Sequence, residues 1–253
     1  MNKDPELIQN NLFSFYDQLA RTGKLDLEIC DHWSILKNEP GFWPGVIYRV
    51  GADLSFAEDS GRLAAQTNSE EIPGFLVAKD DDIEHTSPVL QKLGFFPFAA
   101  WKGMIINEFD KKEIQFPDSV TIEKITTDSD FEQWIKIISE ELLNPILIKK
   151  TFLKKLLIDP SFEAFILKNN GIGVSTVMVF KTEYSYGLYL IATTKTAQRR
   201  GFGQMLIDSV INRLVDEAKK PVILQATPAG EILYNKLGFI PVNRFFLFRH
   251  LKF

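Results

Sequence analysis

Two eight-residue stretches of the chain echo each other. Leu90-Gln91-Lys92-Leu93-Gly94-Phe95-Phe96-Pro97 and Tyr234-Asn235-Lys236-Leu237-Gly238-Phe239-Ile240-Pro241 agree at five of eight positions, at a constant offset of 144. Each stretch closes a helical pattern on a glycine and restarts as a strand rich in apolar residues. A long-range echo of this kind points to two halves of like fold, and 253 residues is length enough for two small domains. Coincidence is the alternative, because Lys-Leu-Gly-Phe is a common way to stop a helix. The charged stretch Glu108–Asp118, which contains Pro117, is the expected connection between the halves.

The second half has the sharper pattern. Val120–Ile125 alternates like a strand, and Asp128 or Ser129 is expected to cap a helix over 129–143. A second helix is expected over 146–158. Phe162–Leu167 and Val174–Phe180 read as strands joined at Asn169-Asn170-Gly171, a hairpin signal. Gly187–Thr193 reads as a strand, 203–218 as a helix, Val222–Ala226 as a buried strand, Pro228–Leu237 as a helix and Pro241–Arg249 as the last strand. In the first half the pattern supports a helix over 6–21, strands at 46–50, 75–78 and 98–106, and a short helix over 88–93. Residues 57–71 read as weakly helical and Asp80–Asp82 as a solvated turn.

Composition narrows the function. Lys and Arg total 29 against 33 Asp and Glu, a formal charge of −4, so nothing global attracts nucleic acid or anionic lipid. No apolar run is long enough to span a membrane, and the polar, acidic start Met1–Glu6 leads to the expectation of no signal peptide. The single Cys30 and three scattered histidines cannot build a disulfide framework or a metal centre, so a cytoplasmic protein without a metal is expected.

The segment that carries chemistry is 187–206. A strand leads into Gln198-Arg199-Arg200-Gly201-Phe202-Gly203, and that turn opens a helix. Glycines let the backbone approach a ligand, and a helix start offers unpaired N–H groups to a phosphate. Arg199 and Arg200 add charge at the same place. It is neither a P-loop nor a complete dinucleotide fingerprint, since Leu206 stands where a third glycine would be. A plain strand-to-helix turn with two solvated arginines would look the same.

A second block separates the two readings. The Gln-x-x-Gly-x-Gly turn resembles motif A of the GCN5-related N-acetyltransferases. Residues 222–241, Val-Ile-Leu-Gln-Ala-Thr-Pro-Ala-Gly-Glu-Ile-Leu-Tyr-Asn-Lys-Leu-Gly-Phe-Ile-Pro, are similar to motif B of the same family. The resemblance covers about residues 119–253. It implies an α/β (α+β) fold, with a mixed, mostly antiparallel sheet flanked by helices. With the echo it implies two tandem domains of that kind, 1–110 and 119–253, the first a degenerate copy.

The resemblance also implies roles. Acetyl-CoA is the co-substrate, held in a cleft between the strands before the two motifs. Backbone groups of Ile191, Ala192 and Thr193 are expected to pair with its pantetheine arm. Backbone N–H groups from Arg199 through Arg200, Gly201, Phe202 and Gly203 to Gln204, together with Gln198, are expected to cradle its pyrophosphate. Tyr234 stands where the family often has a tyrosine near the sulfur, as proton donor or sulfur-orienting group; aromatic packing is its other reading. Thr227 replaces a common asparagine, and whether its hydroxyl substitutes is open. No general base is assigned: residues 187–193 hold no acid, Glu183 lies in the preceding turn, and Tyr184, Tyr186 and Tyr189 read as pocket wall or surface. Lys149, Lys150, Lys154 and Lys155 read as the wet face of a helix.

The first half lacks this chemistry. Leu90 stands in place of the tyrosine, and Asp59-Ser60-Gly61-Arg62 does not fit the phosphate turn. The function expected is transfer of an acetyl group to an amine of a small molecule or protein, by direct attack on the thioester. The alternative is a module that binds acyl-CoA without turnover.

Overall fold

In a computed structural model of the chain, residues 3–50, 63, 73–79 and 83–251 are described. The expected helical stretch at 57–71, the acidic turn Asp80–Asp82 and Asp59–Arg62 therefore lie outside the described residues, Leu63 apart.

The centre of the molecule is a ladder between two strands far apart in sequence. β6 (Phe95–Ile106) pairs antiparallel with β13 (Ile240–His250). The ladder maps onto itself when residues are exchanged by the 144 offset. Ile240–Ile105 becomes Arg249–Phe96, Pro241–Met104 becomes Phe248–Pro97, and Asn243–Gly103 becomes Leu247–Ala99; all are observed pairs. Phe245–Trp101 maps onto itself and so lies on a local twofold axis. The register shifts, at Val242 and at Phe98, also exchange under the offset.

The rest of the sheet extends outward from this pair. Eleven strands run in the order β1 (Leu27–Ile29), β2 (Ser34–Leu36), β4 (Val46–Val50), β5 (Phe75–Lys79), β13, β6, β12 (Val222–Ala226), β11 (Tyr186–Thr193), β10 (Ile172–Lys181), β9 (Phe162–Asn169) and β7 (Val120–Lys124). Each half thus lends its last strand to the other: β13 lies between β5 and β6, and β6 between β12 and β13. Most neighbours are antiparallel, but β4–β5 and β11–β12 are parallel.

Among the described residues the helices with described bounds are α1 (Asp4–Gly23), α2 (Ile83–Lys92), α3 (Asp128–Ile138), α4 (Lys150–Ile158), α5 (Phe202–Glu217) and α6 (Pro228–Leu237). One sheet face carries a core shared by both halves, built on α1, α3 and α4. The opposite face carries two cores, one under α5 and α6 and one under α2. We call these the front and the back.

α1 sits at the middle of the front core, with Ile8, Leu12, Phe13, Phe15, Tyr16, Leu19 and Ala20 all buried. Burial of a large apolar side chain contributes about 1.5–3 kcal/mol, so α1 binds the halves together strongly. Phe15 stacks on Tyr189 at 3.7 Å, while Tyr16 packs on Tyr48 at 5.0 Å. Asp17 forms a two-pronged ion pair with Arg49, at 2.9 and 2.6 Å. Buried Asn11 donates to Ser185 Oγ (2.9 Å) and accepts from the Tyr189 hydroxyl (2.8 Å).

Several expected boundaries move. The α3 cap is Thr127, not Asp128 or Ser129: its hydroxyl accepts from the Asp130 N–H at 3.1 Å and hydrogen-bonds the Asp130 carboxylate at 2.7 Å. Past Ile138 the helix widens into a π-turn over Ser139–Leu143. α4 begins only at Lys150, because Leu147–Ile148 instead forms β8, parallel to β3 (Phe42–Trp43). α2 is longer than expected and starts at Ile83, with Pro88 inside it. The charged connection has no regular structure, yet it is strapped to α5. Asn212 exchanges two hydrogen bonds with the Lys112 backbone (2.9 and 2.7 Å), and the Lys112 ammonium meets Asp208 at 2.7 Å.

Gly103 tests the central packing. A β-carbon there would overlap the Asn243 side-chain oxygen and come 2.9 Å from Ile8 Cγ2. Gly103→Ala is expected to lower stability by about 1–3 kcal/mol, through overpacking between β6, β13 and α1, read as a reduced denaturant midpoint.

Candidate active site

β11 and β12 begin as parallel neighbours and then part. They pair at Tyr186–Val222, Gly187–Ile223 and Leu188–Leu224, and there the shared ladder ends. Beyond it each strand keeps its outer partner: Ala192 and Thr193 stay on Thr176 and Ser175, while Gln225 and Ala226 stay on Gly103 and Lys102. The parting coincides with a bulge in β11, where Leu190 takes φ +47°. A bulge breaks the pairing and re-aims the strand. The result is a wedge-shaped cleft with β-edge backbone of Ile191–Thr193 on one side. Ser175 Oγ donates to the Ala192 carbonyl (2.9 Å) and Gln198 Nε2 donates to the Thr193 carbonyl (3.0 Å), so this edge is held in place by side chains.

The equivalent place in the first half is closed. Met104 pairs with Leu224, and Phe248, which is Met104 shifted by 144, pairs with Leu76. Leu76 therefore corresponds to Leu224, and its partner Ile47 to Leu188. Arg49 then corresponds to Leu190, and it too has positive φ, at +61°. By the same steps Ala78 corresponds to Ala226. Here the halves differ: β4 rejoins β5 after its bulge, through Val50–Ala78. Arg49 is also pinned by Asp17, with the Tyr48 hydroxyl on the same carboxylate at 2.5 Å.

The turn after β11 opens α5. Arg199 (φ +62°) and Gly201 (φ +84°) both adopt the left-handed region, and Gly201 is the N-cap. No side chain caps this end, and Met205 N–H to Gly201 C=O (3.0 Å) closes the first turn. The N–H groups before Met205 are those a helix leaves unsatisfied, and they carry the positive end of the dipole. Phe202 and Leu206 are buried and anchor the turn from below. A β-carbon on Gly203 would meet Thr193 Oγ1 at 3.3 Å and Leu233 at 3.5 Å, so the loop lies close against the cleft. Arg199 and Arg200 are exposed, and Arg200 turns its guanidinium over the Phe202 ring at 5.0 Å. A concavity of about 400 Å³ lies beside this turn, between the strap residues Lys112 and Gln115 and the helix residues Gly201 and Gln204.

Tyr234 lies in the back core, edge-on to Phe239 at 6.0 Å. Burial pushes its hydroxyl well above the ordinary tyrosine range, so it stays protonated at neutral pH. Thr227 is the N-cap of α6, its hydroxyl oxygen accepting from Gly230 N–H at 3.2 Å. That lone pair is committed to the helix, while the hydroxyl proton is free to donate.

The tyrosines divide. Tyr184 is exposed, Tyr186 lies in the back core, and Tyr189 faces the front. Glu183 is exposed in the turn that starts β11, at the end away from the cleft. Lys150 and Lys154 pair with Glu132 and Asp128 at the surface, and Lys149 with Glu39. Gln225 is a cleft residue that sequence reasoning missed. It opposes Gly103 across β12–β6, and its side-chain amide lies against the hydroxyl of buried Tyr189. The signal was present as the one polar residue inside Val222–Ala226. No group of three or more potential metal ligands occurs among the described residues. No helix of the described residues is long and apolar enough to cross a membrane.

A family profile described as an acetyltransferase (GNAT) domain matches residues 124–253. Among solved structures, a GCN5-related N-acetyltransferase from Kribbella flavida superposes with a TM-score of 0.65 at 12% identity, covering 94% of this chain and 95% of that one. One from Sphaerobacter thermophilus gives 0.64 at 14% identity, covering 86% and 76%. A tandem GNAT protein from the clavulanic acid biosynthesis pathway gives 0.61 at 10% identity, covering 86% and 78%. At these identities the likeness is one of fold. No curated protein sequence matches.

Proposed function

Starting from the premise that the chain belongs to the GNAT acetyltransferase family, we propose that it is an acyl-CoA-dependent N-acyltransferase using acetyl-CoA. The two tandem units are 1–110 and 119–253, and the second carries the single working site. The observation that carries this reading is the parting of β11 from β12 directly above the uncapped start of α5. An extended thioester arm fits along the free edge at Ile191, Ala192 and Thr193. Its pyrophosphate fits the N–H groups from Arg199 to Gln204, with Gln198 bracing the turn.

The chemistry follows from the groups at hand. A neutral amine attacks the thioester carbonyl, the zwitterionic tetrahedral intermediate loses the surplus ammonium proton to solvent, and it collapses to the amide as the C–S bond breaks, the departing thiolate taking a proton from the Tyr234 hydroxyl, which solvent then replaces. Protonated Tyr234 is the hydroxyl offered to the sulfur, as hydrogen-bond donor and proton source. Thr227 stands at the same cleft end with a hydroxyl proton to donate. Neither metal nor nucleic acid nor membrane has a part, and a single cysteine, Cys30, suits a reducing cytoplasm. The acceptor is a small-molecule or protein amine.

Two variants test this reading. Gly203→Asp places a carboxylate where the pyrophosphate is expected, and its β-carbon, 3.3 Å from Thr193 Oγ1, needs that side chain to yield only a few tenths of an ångström. Coenzyme A affinity by calorimetry should fall at least about tenfold with the melting temperature nearly unchanged; equal affinity would remove the site. Tyr234→Phe should lower kcat by about tenfold or more with coenzyme A affinity within about twofold. Unchanged kcat would return Tyr234 to packing alone, and tight coenzyme A binding with no turnover of any amine would favour a binding module.

A further inference from the structure

A chain of polar groups runs through the otherwise apolar front core and ends at the cleft. It begins in the turn before β11, where the Thr182 and Ser185 hydroxyls meet at 3.2 Å. Asn11 of α1 donates to Ser185 Oγ, and its side-chain carbonyl accepts from the Tyr189 hydroxyl. Gly187 makes room for this crossing, since a β-carbon there would overlap Asn11 Oδ1 and the edge of the Tyr189 ring. With its proton committed to Asn11, the Tyr189 oxygen can only accept from a further partner. That partner is the Gln225 amide, which lies against it with Nε2 buried. The N–H end of the amide thus faces Tyr189, and the carbonyl end, Oε1, is turned away from it. Hydrogen bonds linked in one direction in a core reinforce each other and hold each member in a single orientation.

Tyr189 and Gln225 are the first residues past Leu188–Leu224, the last pair that β11 and β12 share, so they stand at the apex of the cleft. Leu188 and Leu224 belong to the back core, and the residues after them face the front, where Tyr189 lies. Within β12, Gln225 alone keeps contact with solvent: Val222, Ile223, Leu224 and Ala226 are at most 1% exposed. In the proposed complex the pyrophosphate is at the start of α5 and the arm runs along Ile191–Thr193, so the acyl end lies towards this apex. α5 and Tyr234 occupy the back. The front of the apex then offers an incoming amine a fixed acceptor, Gln225 Oε1. An acceptor that holds one N–H of the amine sets the direction of its lone pair. A carboxamide does this without favouring the ammonium form as a carboxylate would, and the neutral amine is the form that attacks.

Resting on the acetyltransferase reading, we propose that Gln225 Oε1 accepts a hydrogen bond from the attacking amine and aims its lone pair at the thioester, with Tyr189 and Asn11 as positioning residues that fix the Gln225 amide. Through Asn11 the first half takes part in orienting the acceptor of the second.

Two coenzyme A derivatives test the contact, CoA-S-CH2-CO-NH-CH3 and CoA-S-CH2-CO-O-CH3. They match in length and differ by an N–H against an ester oxygen next to the acyl carbonyl, on the side from which the amine arrives. Binding of coenzyme A itself to the full chain is measured first by calorimetry, and its absence overturns the parent reading independently. The amide derivative should bind at least about tenfold more tightly than the ester. Gln225→Leu, and Gln225→Met as the closer fit in shape, should bring that ratio to within about twofold while coenzyme A affinity stays within about twofold. Gln225→Glu keeps an oxygen acceptor of the same reach and should restore a ratio of at least about fivefold, which separates acceptance from packing. Tyr189→Phe should lower the ratio about threefold or more with coenzyme A affinity unchanged. Equal affinity of the full chain for the two derivatives, or an undiminished ratio in a Leu or Met variant that binds coenzyme A, overturns the Gln225 contact. An undiminished ratio in Tyr189→Phe overturns the positioning role.

Discussion

The antiparallel ladder between β6 and β13 occupies the centre of the eleven-stranded sheet, and the positions of both parallel pairs follow from it. Each half gives up its last strand and receives the other's. β12 finds its second partner only in β6, and β5 finds its second partner only in β13. Neither half closes its own sheet. The cost of ordering a chain this long is offset in part by front-face burial that both halves share, with α1 in contact with Tyr48 on one side and Tyr189 on the other. The strap at Lys111–Gln115 adds a second tie, on the back, through Asn212 and Asp208.

From a common register the two halves reach opposite outcomes. Both first strands of the parallel pairs bulge at equivalent residues, Arg49 and Leu190, each with positive φ. In the second half the bulge leaves β11 and β12 apart and a helix start faces the gap. In the first, β4 rejoins β5 at Val50–Ala78, and the side chain at the bulge is a guanidinium fastened to Asp17. A charged group held bidentately by a part-buried carboxylate is costly to displace, because removing either partner strands the other. The bulge common to both halves thus leaves an opening in one and a lock in the other.

Much of this was legible in the sequence. The strand–turn–helix at 187–206 and the strand–helix at 222–241 sit where periodicity and glycine placed them, because their apolar runs are short, bounded by turn residues and buried. The 144 offset was visible as well, through a helix stop whose Gly94 and Gly238 both need positive φ. The strand exchange was not legible: pairing partners of β6 and β13 depend on contacts across the whole chain, and alternation alone says nothing of which strand lies next door. β1 and β2 were missed because three-residue strands carry too little pattern.

The central claim is that one of two related clefts is open and the other closed. Titration calorimetry of the full chain with coenzyme A measures this directly. One molecule bound per chain is predicted, with Gly203→Asp removing it. Two molecules bound per chain, or one that persists in Gly203→Asp, would contradict the account.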